Sequence, residues 1–180
     1  MLSLILKIIP LDKLGLRLIF RVIFIRVNNV VFLAFYNKSN FPPGKWLNEP
    51  DYCRWYNSGL PCLAIRDMSL GVWKGFVGVS STHSFFGKKI EEILREPAMI
   101  DAFLSVYGGI CTAGKLPSRY KEEAKGLWLL GIETSHGGDL MPLLKNDPDM
   151  DKMLSGQTYK DFSFIRRETN KLAKYVSRIQ

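Results

Sequence analysis

Histidine and cysteine are scarce in this chain of 180 residues, which holds two of the first and three of the second. Cys53, Cys62 and Cys111 are odd in number and show no Cys-x-x-Cys spacing. That argues against a disulfide scaffold and a zinc knuckle, and it fits a reducing, cytoplasmic setting. Each thiol reads as a small buried hydrophobe rather than a nucleophile. Also missing are a Walker loop, a Rossmann fingerprint, a Gly-x-Ser-x-Gly elbow and a His-Glu-x-x-His pair, which argues against the enzyme classes built on them. No internal repeat or low-complexity tract is visible. The longest uncharged apolar run, residues 27–37, is too short to cross a ~30 Å hydrocarbon core.

The residues that are present describe one ordinary globular domain. Hydrophobic residues make up 47% of the chain and charged residues 23%, a composition that supports a packed core rather than disorder. The net charge is +8, but it is unevenly placed. Residues 1–40 carry Lys7, Lys13, Arg17, Arg21, Arg26 and Lys38 against Asp12 alone. The rest of the chain is close to balance. Its Lys88-Lys89 and Arg166-Arg167 pairs are isolated and read as solvated helix faces, so no nucleic-acid partner is predicted.

Residues 1–40 differ in composition from residues 41–180, and the expected boundary is an apolar, basic N-terminal extension over 1–40 before a domain over 41–180. Lys13, Arg17 and Arg21 are four apart and would line one face of a helix. Such a helix could lie on an anionic membrane surface, which makes a membrane surface a candidate partner. A spanning helix is disfavoured, because Arg21 and Arg26 each cost roughly 2.5–3.5 kcal/mol near the centre of a bilayer. A signal peptide is disfavoured too, since no small-x-small cleavage site follows the apolar run. Two further readings are a β-hairpin turning at Asn28-Asn29 and an extension with no role of its own.

Beyond Pro42-Pro43-Gly44, which cannot continue a helix or a central strand, the pattern alternates between short elements. Asn48-Glu49-Pro50-Asp51 has the signature of a helix start, and the spacing predicts a short helix ending near Asn57-Ser58-Gly59. Alternating apolar residues over 61–67 and 72–79 predict two strands of a hairpin. A loop with His83 comes next, then a short helix over 88–95. Strands are expected over 103–112 and 127–134, a loop over 135–148, and a C-terminal helix from 162 to 179 with Ile165, Leu172, Ala173, Val176 and Ile179 on one face. The fold class is therefore α+β: a single domain with a small, mainly antiparallel sheet flanked by short helices and a C-terminal helix.

Candidate chemistry concentrates at Glu133-Thr134-Ser135-His136-Gly137-Gly138-Asp139. A histidine with a nearby carboxylate is the minimum for acid–base work, because the carboxylate orients the ring and raises its basicity. Glycines let backbone N–H groups approach a ligand. His136, Glu133 and Asp139 are therefore candidate catalytic groups, with His83 as a fourth brought from another loop. Gly137 and Gly138, with the Gly108-Gly109 pair, are candidate ligand-binding positions. So are Trp46 and Trp128, whose rings could stack on a nucleotide-like ligand. Two histidines and two acids are a thin set for a metal, and none is assigned. No cofactor is implied by these motifs.

In combination these motifs resemble a family of small, largely uncharacterised proteins of tailed phages and prophages. The resemblance runs through Trp46-Leu47-Asn48-Glu49-Pro50, Gly75-Phe76-Val77-Gly78-Val79 with His83, Gly108-Gly109, and Trp128 to Glu133 followed by His136-Gly137-Gly138-Asp139. It covers about residues 41–178 and excludes 1–40. The chain departs from the pattern at Tyr107, where the family has His, at Ser84 for Pro, at Glu133 for Asp and at Leu129 for Trp. The resemblance implies a phage or prophage accessory protein in the host cytoplasm. The function expected is binding of a small polar, nucleotide-like ligand in a pocket of Gly, Trp and His. A hydrolase using His136 with Glu133 or Asp139 and a non-catalytic structural or protein-interaction module are the alternatives.

Overall fold

The computed structural model describes residues 19–23, 30–116, 124–144 and 156–179. It is α+β: one antiparallel sheet, short helices, and a long C-terminal helix. The strands are β1 (Ile19–Ile23), β2 (Val30–Tyr36), β3 (Tyr52–Asn57), β4 (Leu60–Arg66), β5 (Trp73–Val79), β6 (Thr112–Gly114) and β7 (Trp128–Glu133), in the sheet order β1-β2-β3-β4-β5-β7-β6. Helices α1 (Ile90–Ile93), α2 (Pro97–Ser105) and α3 (Phe162–Val176) complete the described elements, with 3-10 turns at Lys45–Asn48 and Pro142–Leu144.

The predicted hairpin, β7 and the C-terminal helix form as the periodicities require. Helix α3 lies across one face of the sheet, and small residues let it come close. A Cβ on Gly75 would stand 2.1 Å from Thr169 Oγ1. Gly75 pairs with Ala64 and Ile132, and Ala64 pairs with Cys53, so a shallow track runs across three strands. Ile165, Leu172, Ala173 and Val176 fill it from above and are all buried. Cys53 and Cys62 act here as small hydrophobes, and burial pushes both thiols up to about 12. A smaller core of Tyr52, Leu63, Ile65, Phe76 and Leu129 covers the opposite face.

Three expectations change. The helix expected after Asn48 is strand β3: Asn48 closes a 3-10 turn, and Tyr52–Asn57 alternates with Cys53 and Trp55 buried. Ser58 and Gly59, both at positive φ, make the two-residue turn to β4, the geometry that suits hairpin twist. The strand expected over 103–112 is instead the end of α2, a turn with Gly108 and Gly109 at φ 67 and 77, and three-residue β6. The sheet also runs across the boundary expected at residue 40, because β1 and β2 add to its edge through β3. Arg21 lies in β1 rather than on a basic helix face, whereas Lys13 and Arg17 lie outside the described residues. Among the described residues no helix is long and apolar enough to cross a membrane.

A buried ionic network ties these pieces together. The Arg66 side chain is fully buried and uses all five of its N–H donors. Nε donates to Asp51 Oδ1 at 2.6 Å, Nη2 to Glu49 Oε2 at 2.8 Å and to the Pro50 carbonyl at 3.3 Å. Nη1 donates to the Gly71 carbonyl at 2.9 Å and to the Tyr159 hydroxyl at 2.7 Å. The guanidinium also stacks 4.3 Å from the Trp73 ring centroid. Glu49 passes the constraint on, since its Oε1 accepts the Phe162 N–H at the start of α3. Asp51 does the same for β2: its Oδ2 accepts the Tyr36 N–H at 2.8 Å, and Lys38 Nζ sits 3.0 Å from Oδ1.

This core makes two outcomes measurable. Asp51→Asn strips the counter-charge from two buried cations, and the chain should lose about 3–5 kcal/mol, the range for breaking a buried pair; the urea midpoint at unchanged slope measures it. The second concerns the turn between β4 and β5. Burial alone would raise the Asp67 carboxyl, but hydrogen bonds from Ser69 and Lys74 outweigh it and hold the pKa at about 2, below its ordinary 3.8. A depressed carboxylate contributes stability above its unfolded pKa and loses it as pH falls towards the folded value. Asp67→Asn keeps the turn to Ser69 but removes the charge. It should lower the melting temperature at pH 6, with the gap to wild type closing between about pH 4 and pH 2.

Candidate functional site

The end of the molecule where β7 runs out carries the densest set of polar groups. After Glu133 the chain leaves the sheet, with Thr134 Oγ1 accepting the Trp73 N–H at 3.0 Å. Residues 136–139 then close on themselves. The Asp139 N–H donates to the His136 carbonyl and the His136 N–H donates to Asp139 Oδ2, both at 3.0 Å. The three residues from His136 to Asp139 thus form a turn in which the carboxylate is folded back onto its own histidine. His136 Nδ1 lies 3.6 Å from Asp139 Oδ2.

The remaining partners come from elsewhere in the chain. The Tyr107 hydroxyl donates to Asp139 Oδ1 at 2.6 Å, and its ring meets the His136 ring edge-on at 5.3 Å. Burial, then the hydrogen bond to Asp139 and its charge, push the Tyr107 phenol up to about 12, so it stays protonated and donating. Lys160 Nζ stands 3.8 Å from Asp139 Oδ1 and over the Tyr107 and Phe164 rings. The backbone of Tyr107 is held by α3, its N–H donating to buried Glu168 at 3.2 Å. Glu168 is in turn paired with Arg167 and Lys171. Asp139 is 1% exposed and the His136 side chain 33% exposed, so a fixed carboxylate sits beneath an accessible imidazole.

Gly108 makes this arrangement possible. The turn after α2 gives it φ 67, and a Cβ there would fall 2.0 Å from His136 Cε1. Gly109 plays the same part for Phe103. Gly137 and Gly138 flank the imidazole in the exposed part of the turn, Gly138 at φ 90 with its carbonyl accepting the Thr158 N–H.

Of the residues singled out in the sequence, His136, Asp139, Gly108, Gly137 and Gly138 come together; the others do not. β5 and β7 are antiparallel, Val79 pairing with Trp128 and Lys74 with Glu133. The loop after β5 and the loop after β7 therefore leave from opposite ends of the sheet, about 17 Å apart along the strands. His83 is at the far end. Its Nδ1 accepts the Phe85 N–H at 3.1 Å, which puts the ring proton on Nε2, 3.4 Å from the Val176 carbonyl at the end of α3. It closes a helix terminus, so the two imidazoles share no hollow. Trp128 is at that end too, its Nε1 donating to the Lys88 carbonyl. Trp46 is buried against Tyr159, donating to the Pro42 carbonyl. Neither tryptophan faces His136 as a stacking platform. Glu133 points to the opposite face of the sheet, where its Oε2 approaches Lys74 at 3.9 Å. Among the described residues no group of three or more His, Cys, Asp and Glu could hold a metal.

Tyr107, Lys160 and Glu168 do not stand out as functional in the sequence. Tyr107 carries a signal, standing next to the Gly-Gly pair at the position where the resembled family has histidine. Lys160 and Glu168 carry none, since Lys160 reaches the site from the segment before α3 and Glu168 only through the packing of α3.

Gly108→Ala tests the close contact between glycine and imidazole. The added methyl and the left-handed backbone together should cost about 1–3 kcal/mol and displace the His136 ring, read as a change in its Hε1 resonance with that of His83 unmoved. No family model, no curated protein and no solved structure matches this chain.

Proposed function

We propose that the chain is a small acid–base enzyme, a hydrolase acting on a small polar substrate with His136 as its general base. The carrying observation is the pairing of His136 Nδ1 with Asp139. Nδ1 is buried, has no hydrogen-bond partner among the described residues and faces the carboxylate at 3.6 Å. A proton on Nδ1 aimed at Asp139 leaves the lone pair on Nε2 to take a proton from water, and the carboxylate then stabilises the imidazolium. The oxygen freed of its proton attacks the substrate, and the leaving group recovers the proton from Nε2. The 3.6 Å gap is longer than a hydrogen bond, as unliganded catalytic pairs often are. Asp139 itself is pinned by Tyr107, by the His136 N–H and by Lys160.

Lys160 places a positive charge beside Asp139 and over the Tyr107 ring that packs on His136, which is compatible with a polar substrate of the nucleotide-like class expected from the sequence. The reading keeps the accessory role in a phage or prophage that the resemblance implies. It gives up Glu133, His83 and the two tryptophans as parts of the same centre.

Hydrolysis of p-nitrophenyl esters and of bis-p-nitrophenyl phosphate by the full chain tests the proposal. His136→Ala should cut the rate by about 10²–10⁴-fold, the usual share of a general base, while the melting temperature stays nearly unchanged. Equal rates for the two proteins, or no turnover by the unmodified chain, would overturn it. Should His136→Ala unfold the protein, the imidazole is a packing element and the non-catalytic reading stands.

A further inference from the structure

On the face of the sheet away from α3, between β4, β5, β7 and the segment around β6, lies a half-open cavity of about 280 Å³. That lies just below the roughly 300–1,000 Å³ typical of drug-sized ligand pockets, the scale of one apolar ring with a short polar head. Ile65, Phe76 and Leu116 supply an apolar lining. Four charged side chains line it as well, Asp67, Lys74, Lys115 and Glu133. Arg66 also borders it, but its guanidinium is held by Asp51 and Glu49.

The charges at the cavity are balanced and unevenly engaged. Asp67 is tightly paired with Lys74 at 2.9 Å, which leaves Glu133 with only a loose approach to the same ammonium at 3.9 Å. Lys115 has no carboxylate partner among the described residues. Cys111, which also lines the space, is exposed rather than the buried hydrophobe expected from the sequence; it donates its S–H to the Gly131 carbonyl, and partial desolvation of the sulfur together with the Glu133 charge pushes its thiol up to about 11. It is a wall rather than a nucleophile.

We infer that this cavity binds a small zwitterion with one apolar arm, such as a free α-amino acid with a large apolar side chain. Its ammonium would meet Glu133, its carboxylate Lys115, and its side chain the surface of Phe76, Ile65 and Leu116. A ligand carrying only one charge would engage only one of these two solvent-accessible groups and forgo the second charge-assisted contact. The site is separate from the His136 centre: Glu133 turns to Lys74 on the face away from α3, whereas the His136 turn packs against Tyr107 and Asp139 meets Lys160 before α3.

Isothermal titration of the full chain with L-phenylalanine, hydrocinnamate and phenethylamine separates the charges of the ligand one at a time. L-Phenylalanine should bind at least about tenfold more tightly than either single-charge analogue, as expected for one added charge-assisted contact. Glu133→Gln should erase its advantage over hydrocinnamate by weakening L-phenylalanine, with hydrocinnamate bound no more weakly than before, and His136→Ala should alter none of the three. Equal binding of the three compounds, or no binding of L-phenylalanine at millimolar concentration, overturns the inference.

Discussion

The guanidinium of Arg66 is the point on which the fold converges. A fully buried cation is tolerable only if every donor finds an acceptor and opposite charge lies close. Here the acceptors are drawn from segments far apart in the chain: Glu49, Pro50 and Asp51 before β3, Gly71 before β5, and Tyr159 before α3. Meeting that one demand fixes where β3 starts, how the β4–β5 turn closes and where α3 begins. Lysine could not substitute, since a single ammonium has three donors and no planar fork.

The candidate centre inherits its order from that arrangement. Helix α3 is positioned at its start by Glu49, and two turns later Glu168 holds the backbone of Tyr107. Tyr107 then holds Asp139, and Asp139 holds the turn that carries His136. The imidazole is therefore placed through packing of the helix on the sheet rather than by the loop alone. A carboxylate at 1% exposure beneath a ring at 33% is a gradient of burial that the loop sequence by itself could not set.

Legibility in the sequence tracks the range of each interaction. The β4–β5 hairpin, β7 and α3 rest on period-two and helical patterns within the segment, and these are legible. The pair of His136 and Asp139 is legible for the same reason, being three residues apart. Asn48, Pro50 and Asp51 mislead because they match a helix start, whereas Asp51 is committed to Arg66 and to the Tyr36 N–H, contacts that no local pattern encodes. Gly108 and Gly109 are readable as a place of close approach, but not as a turn beneath an imidazole. Joining His83 to His136 fails on strand direction: both come after a strand, and only the antiparallel pairing of β5 with β7 sends them to opposite ends.

The doubly used carboxylate of Glu49 has a consequence for how the molecule opens. One oxygen serves Arg66, the other the first amide of α3, so the helix cannot lift from the sheet without uncovering the buried cation. Detachment of the start of α3 is thereby coupled to exposure of the Arg66 guanidinium, so that end of the helix opens only together with the buried ionic network.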